Sequence, residues 1–190
     1  GWDRFETAVR AVIGQQVSVA GATTITGRLV EARGTPLPAP VDGLGHLFPT
    51  PDALVELPAD GLGMPRARVA ALEALARAVL DGSLDLYGPT DPSSLRTQLL
   101  GLPGIGPWTA EVVAMRAFRD PDAFPAGDLG LRHAIGRLLG VDEPPSADVV
   151  AAHAERWRPH RALAAQYLWA SLDPAATPIP TSTPSPVETL

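Results

Sequence analysis

Apolar residues recur at intervals of three and four along most of this 190-residue chain, which is the spacing of an amphipathic helix. The first helix is predicted to begin after Asp3, with Glu6 completing a capping box. A second helix follows over about residues 18–33, and the clearest apolar stripe runs over residues 66–80. No alternating strand pattern competes with these helices. The pattern therefore predicts an all-α fold.

Caps and prolines mark the remaining elements. Thr50 and Pro51 predict a short helix to about residue 57, and Asp91 with Pro92 predicts another that ends near residue 100. Residues 34–46, rich in glycine and proline, are predicted to form a surface loop. The last helices are expected over 108–118, 128–139, 146–157 and 159–171. We predict one domain over residues 1–172 and a disordered, proline- and threonine-rich tail over 173–190.

The composition excludes several kinds of reactive or metal-binding site. Cysteine is absent, which excludes disulfides, thiolate metal sites, iron–sulfur clusters and cysteine nucleophiles from these residues. Lysine is absent as well, so no lysine side chain is available for a Schiff base. No apolar run is long enough to span a membrane, and no secretory signal opens the chain, so we expect a cytoplasmic location. The net charge of −6 argues mildly against nucleic-acid binding, which usually needs a basic surface.

The segment Leu102–Gly106, within the string LPGIGPWTA, is the most informative part of the sequence. Gly104 and Gly106 allow a sharp turn between two helices, with Ile105 between them able to enter the apolar junction. Backbone amides at such a turn and at the following helix start can bind a phosphate without any basic side chain. An ordinary helix–helix turn is the alternative for a Gly-x-Gly taken alone.

Asp128 follows a connector rich in proline and glycine, residues 120–127. A carboxylate in a cleft there could stabilise positive charge on a sugar and orient or deprotonate a water molecule. The simpler alternative is that Asp128 only caps the helix that begins after it.

The string LPGIGPWTA and Asp128 resemble the helix-hairpin-helix DNA glycosylase superfamily, and specifically its 3-methyladenine DNA glycosylase II (AlkA) type. The segment VIGQQVSV (residues 12–19) and the segment AERWRPHR (residues 154–161) extend this resemblance over residues 2–172. The resemblance implies two helical lobes flanking a cleft and identifies Asp128 as the catalytic residue. The upstream domain typical of AlkA-type proteins is not in this sequence, so we expect the chain to be a catalytic part or a minimal relative.

The same resemblance implies how duplex DNA with a damaged base is held. Gln16, with Gln15 beside it, would enter the minor groove and fill the gap left by the flipped base. Gly104, Gly106 and Thr109 would grip the DNA backbone. If the resemblance did not hold here, Gln15 and Gln16 would simply be exposed polar loop residues.

The resemblance also implies a base pocket formed by Trp108 and Trp157, with Val112 and Leu129 at positions that often hold tyrosine in relatives. Indole faces attract cations, which suits N-alkylated purines such as 3-methyladenine and 7-methylguanine. Core packing is the alternative for both tryptophans. Trp108 stands where strand-cleaving relatives carry their Schiff-base lysine. We therefore expect a monofunctional glycosylase that leaves an intact abasic site.

No cofactor is expected to be required. The family can hold a monovalent cation, Na⁺ or K⁺, at the hairpin, and the matching carbonyl oxygens are those of Leu100, Leu102 and Ile105. We expect a monomer acting on double-stranded DNA in base excision repair. Three alternatives remain at this stage: a glycosylase for deaminated bases such as hypoxanthine or uracil, a non-catalytic DNA-binding module, and an acidic helical interaction protein.

Overall fold

The computed structural model describes residues 3–58 and 61–173, and the chain is predominantly helical within them. The α-helices are α1 (Arg4–Ile13), α2 (Val19–Arg33), α3 (Arg66–Leu80), α4 (Pro92–Leu100), α5 (Pro107–Ala117), α6 (Leu129–Leu139), α7 (Ala147–Ala154) and α8 (Arg161–Ala170). Single 3₁₀ turns occupy Pro51–Leu54 and Glu155–Trp157. The predicted fold class is confirmed, and residues 174–190 of the predicted tail lie outside the described residues.

Local capping explains why most helices begin where the sequence predicted. The side chains of Asp3, Ser18, Asp91 and Ser146 each accept a hydrogen bond from a main-chain amide in the first turn of the helix that follows. Such a bond satisfies one of the amides that a helix start leaves without a partner. The predicted capping box is only half formed, because the Glu6 carboxylate pairs with Arg10.

Residues 34–46 are not a loop, and the prediction for this segment was wrong. They belong to a β-hairpin in which β1 (Thr35–Val41) pairs antiparallel with β2 (Leu44–Leu47). The turn is Asp42–Gly43, and both residues have positive φ values, 47° and 84°. Asp-Gly is a strong signal for a two-residue hairpin turn, and prolines are tolerated in β1 because it has only one partner strand.

The helices pack in two groups. Helix α1 packs against α2, α3 and α5, and α5 also packs against α4, whereas α6 packs against α7 and α8. Buried apolar side chains form one cluster that includes Phe5, Leu72, Val113 and Leu131. Within the described ranges no helix is both long and apolar enough to cross a membrane.

Candidate functional site

Asp128 caps α6 from the residue before its first turn. Its Oδ1 accepts a hydrogen bond from the main-chain amide of Leu131 at 3.0 Å. Asp128 therefore does cap α6, which is the simpler alternative raised from the sequence. The carboxylate lies at the positive end of the α6 dipole, a position that favours negative charge.

The same carboxylate has two indole donors, which a simple cap would not need. Trp108 Nε1 donates to Asp128 Oδ2 at 2.9 Å, and Trp169 Nε1 donates to Oδ1 at 2.8 Å. Both oxygens are therefore held, and the plane of the half-buried carboxylate is fixed between α5 and α8. Charge-assisted hydrogen bonds of this kind are shorter and stronger than neutral ones. Three donors, rather than the one that a cap requires, therefore orient this carboxylate.

Trp169 is the contact of Asp128 that the sequence did not predict. Its ring also lies under the guanidinium of Arg116, with the carbon atom 5.7 Å from the ring centroid. A signal was present, because a half-buried tryptophan needs a partner for its N–H group and an aspartate is a good acceptor.

The other predicted pocket residues are less closely grouped. Val112 is buried on α5, and Leu129 directly follows Asp128 with 59% of its surface exposed. Trp157 lies half-buried with its ring centroid 6.2 Å from that of Phe124 and 5.2 Å from that of His153. Trp108 thus lies beside Asp128. Trp157 instead lies against Phe124, in the connector that leads to Asp128.

His153, beside Trp157, is partly buried. Burial, and secondarily the positive charge of Arg156, lower the pKa of His153 below its ordinary value. This shift favours the neutral form of the imidazole beside Trp157.

The hairpin adopts the predicted turn between α4 and α5. Gly104 has φ +76°, Ile105 is 5% exposed in the junction, and Gly106 is the cap residue of α5. A Cβ on Gly104 would come within 2.8 Å of the Ala71 side chain on α3. Within the described residues, the amides of Gly104 and Gly106 donate no hydrogen bond, so they remain available to an anion.

The loop between α1 and α2, residues 14–18, is called the wedge loop below. Gln16 at its tip is exposed and has φ 55°. Gln15 instead turns toward the hairpin, where its Nε2 donates to Gly104 O and to Thr109 Oγ1, each at 2.9 Å. Thr109 is only 1% exposed and its hydroxyl accepts the Gln15 hydrogen bond inside the protein, so its side chain is not placed to contact DNA.

The connector that leads to Asp128 is held by two groups of ion pairs. Arg96 of α4 pairs with Glu111 at 2.6 Å and with Asp120 at 2.7 Å, and Glu111 Oε2 also accepts the Phe124 amide at 2.9 Å. Arg161 of α8 pairs with Asp122 at 2.8 Å. These contacts tie the connector to α4, α5 and α8, which places Asp128 between the two tryptophans.

The carbonyl oxygens expected to face a cation, those of Leu100, Leu102 and Ile105, have lone pairs that accept no hydrogen bond from the described residues. Leu102 O accepts a hydrogen bond from the Ile105 amide at 3.3 Å, which leaves it one lone pair. No amide of the described residues bonds to Leu100 O or Ile105 O. No group of three or more His, Cys, Asp or Glu residues suited to a metal occurs in the same described part. Carbonyl oxygens with unused lone pairs are the type of donor that a monovalent cation would need at this position.

The chain is similar to known proteins over most of its length. Residues 9–159 match the family described as HhH-GPD superfamily base excision DNA repair protein. The chain is 47% identical over 171 residues to the probable bifunctional transcriptional activator/DNA repair enzyme AlkA of Mycobacterium tuberculosis, covering 90% of this chain and 34% of that protein. It is 35% identical to DNA-3-methyladenine glycosylase 2 of Escherichia coli, covering 88% of this chain and 57% of that protein.

A solved structure with a similar fold is Schizosaccharomyces pombe 3-methyladenine DNA glycosylase (Mag1) in complex with abasic DNA. It superposes with a TM-score of 0.74 at 26% identity, over 93% of this chain and 84% of that chain. The chain thus spans between a third and three fifths of the length of the two curated relatives named above.

Proposed function

The chain belongs to the HhH-GPD superfamily of base excision DNA repair proteins, and on this premise we propose that it is a monofunctional DNA N-glycosylase for alkylated purines such as 3-methyladenine and 7-methylguanine. The observation that carries the proposal is the Asp128 carboxylate, whose two oxygens accept the indole N–H groups of Trp108 and Trp169. The relatives that are named as 3-methyladenine glycosylases support the choice of substrate.

Asp128 acts on the sugar. As the bond between C1′ and the base nitrogen lengthens, its electron pair leaves with the base and positive charge develops on C1′ and the ring oxygen. A fixed carboxylate beside this charge stabilises it without reorganising at the moment of reaction. A water molecule then forms the new bond to C1′ and releases a proton to solvent or to the carboxylate. The products are the free base and an intact abasic site.

Substrate selection falls to the aromatic pocket. An N-alkylated purine carries positive charge and leaves as a neutral base, so it needs little acid catalysis. Cation–π attraction to the face of Trp108 would contribute about 0.5–2 kcal/mol. Val112 and Leu129 make the pocket less aromatic than one lined by tyrosines, which favours a selectivity based on charge over one based on stacking.

Duplex DNA is held by the hairpin and by the wedge loop. The amides of Gly104 and Gly106 would receive a backbone phosphate, and Gln16 would fill the gap left by the flipped base. A monovalent cation on the carbonyls of Leu100, Leu102 and Ile105 would add positive charge beside that phosphate. We infer a monomer that works on DNA in the cytoplasm.

No lysine occurs in the 190 residues, so no lysine amine can form a Schiff base with the abasic sugar. The proposed enzyme therefore leaves the DNA strand uncut. Strand scission by the purified chain, without added alkali, would contradict this part of the proposal.

The test is base release from duplex DNA treated with a methylating agent, comparing this chain with Asp128→Asn. The variant keeps the size of the side chain and removes its charge. Release of 3-methyladenine with intact abasic sites, reduced at least about a hundredfold in the variant, is expected from the loss of one preorganised charge. Equal release by both proteins would overturn the role of Asp128.

Parallel duplexes that contain hypoxanthine or uracil separate the substrate classes. Release of these bases without release of methylated purines would favour a glycosylase for deaminated bases. DNA binding without release from any substrate would favour a non-catalytic DNA-binding module.

A further inference from the structure

The wedge loop region contains two costly features that packing alone does not explain. Gln16 has a φ of 55°, a left-handed conformation that disfavours residues with a Cβ. Arg68 of α3 has a buried Nε with no hydrogen-bond partner among the described residues. Costs of this kind collect at sites where the surrounding structure holds a loop in one geometry for function.

Gln15 connects this loop to three other parts of the molecule. Its side-chain amide has two hydrogens, and they bond to Gly104 O of the hairpin and to Thr109 Oγ1 of α5. Its main-chain oxygen accepts a hydrogen bond from Arg68 Nη2 at 2.6 Å. The residue next to Gln16 is thus attached to the hairpin, α5 and α3 together.

We propose that Gln15 and Arg68 are positioning residues that join the wedge loop to the hairpin. This inference rests on the proposed function, in which the hairpin holds a phosphate and Gln16 replaces the flipped base. Because the two elements are joined, phosphate binding presents Gln16 to the base stack at a set depth, and no loop has to be ordered afterwards. Both side-chain donors of Gln15 are used inside the protein, so its part is to hold the loop rather than to contact DNA.

The test compares one alkylated oligonucleotide in duplex and in single-stranded form. A single strand has no partner base, so excision from it needs no wedge to replace the lost stacking. For Gln15→Ala and Arg68→Met we expect single-turnover excision from duplex to fall about five- to tenfold, the factor that one to two hydrogen bonds represent. Excision from the single strand should change less than about twofold.

Thr109→Val is a cleaner probe of the same connection. The substitution is close in shape, lies in the interior and removes one of the two acceptors of Gln15. We expect about a threefold loss on duplex only, with affinity for undamaged duplex unchanged. A weakened affinity for undamaged duplex, at an unchanged ratio of the two excision rates, would overturn the positioning role and make Thr109 a DNA contact.

Two control variants show what no effect and a full effect on the ratio of the two excision rates look like. Arg66→Met removes the same charge from an exposed position of α3 and should leave the ratio unchanged, whereas Gln16→Ala should reproduce the duplex-specific loss. Equal losses on both substrates for Gln15→Ala and Arg68→Met would show a merely structural role. No loss on either substrate would also overturn the inference.

A second measurement keeps the inference separable from the chemistry. The fluorescence of a 2-aminopurine paired in duplex rises when the base leaves the stack. The wild-type chain should produce this rise, and Gln15→Ala and Arg68→Met should reduce it. A rise with wild type but no base release would remove the proposed activity alone. A rise that the variants match, or no rise with wild type, would overturn the positioning role, whereas base release alone decides the proposed activity.

Discussion

Trp169 and Trp108 contribute differently to the same carboxylate. Trp108 is expected to form a wall of the base pocket and also donates to Asp128 Oδ2, so any substitution there mixes substrate binding with positioning. Trp169 donates to Oδ1 from α8 and has no predicted pocket role. A substitution of Trp169 therefore tests how the orientation of the Asp128 carboxylate affects base release, without altering the predicted base pocket.

Trp169→Phe should lower the single-turnover rate of base release about tenfold, because one charge-assisted hydrogen bond to Asp128 is lost. Phenylalanine keeps an aromatic ring beside Arg116. DNA affinity should be unchanged. In the nitrogen–proton NMR spectrum, Asp128→Asn should move the indole signals of Trp108 and Trp169 and leave that of Trp157 in place. A rate equal to wild type would show that Trp108 and the α6 cap hold Asp128 without Trp169.

Gly104→Ala should lower the free energy of unfolding by about 2–3 kcal/mol. The φ of +76° disfavours any Cβ, and the new methyl group would meet Ala71 at 2.8 Å. Gly106→Ala is the matched control, because its added Cβ would meet nothing within 4 Å. Urea unfolding of both variants measures the difference. Similar stabilities would mean that the hairpin can move away from α3 at little cost.

At the scale of elements, the ordered connector before α6 depends on side chains that come from distant helices. Glu111 of α5 binds Arg96 through both oxygens and also accepts the amide of Phe124. Ala123 and Phe124 anchor the connector in the core by burial, and these polar contacts add a second restraint on where α6 begins and how Asp128 is presented.

Glu111→Gln should lower the free energy of unfolding by about 1–3 kcal/mol, because the new amide group must face at least one existing donor. Hydrogen exchange over residues 120–127 should become faster, and base release should slow. Glu6→Gln is the control: its exposed pair with Arg10, one turn along α1, is worth only about 0.5 kcal/mol. Equal effects of the two variants would show that the connector does not depend on Glu111.

For the whole molecule, net charge and DNA binding have to be reconciled. The chain carries a net charge of −6, and Arg96, Arg158 and Arg161 are engaged with carboxylates around the connector. A hairpin that binds phosphate through amides adds no formal positive charge. Few cationic side chains are thus needed for the hairpin to hold DNA.

The affinity for undamaged duplex should therefore depend only weakly on salt. We expect log K to fall with log salt concentration with a slope of about 2–4, corresponding to two to four neutralised phosphates. Fluorescence anisotropy between about 50 and 200 mM NaCl would measure it. A slope of about 6 or more would require an arginine surface that replaces the hairpin as the main phosphate contact.

The sequence by itself determined the features that depend on neighbouring residues. Helix starts followed from Asp3, Ser18 and Asp91 because a cap acts over two or three residues, and the hairpin followed from its glycines because a turn is a local choice of φ. The resemblance then pointed to Asp128. The Asp42–Gly43 hairpin was equally local, and it was missed because a turn signal among prolines was interpreted as a loop.

Only the tertiary structure decided which side chains meet. Trp169 lies 41 residues from Asp128, and Gln15 lies 89 residues from Gly104. Contacts at such separations depend on the angles and depths at which whole helices pack, which many side chains set jointly and no short motif encodes. For this reason the sequence pointed to a carboxylate and a wedge loop, whereas the packing of α1, α3, α5 and α8 supplied the groups that hold them in place.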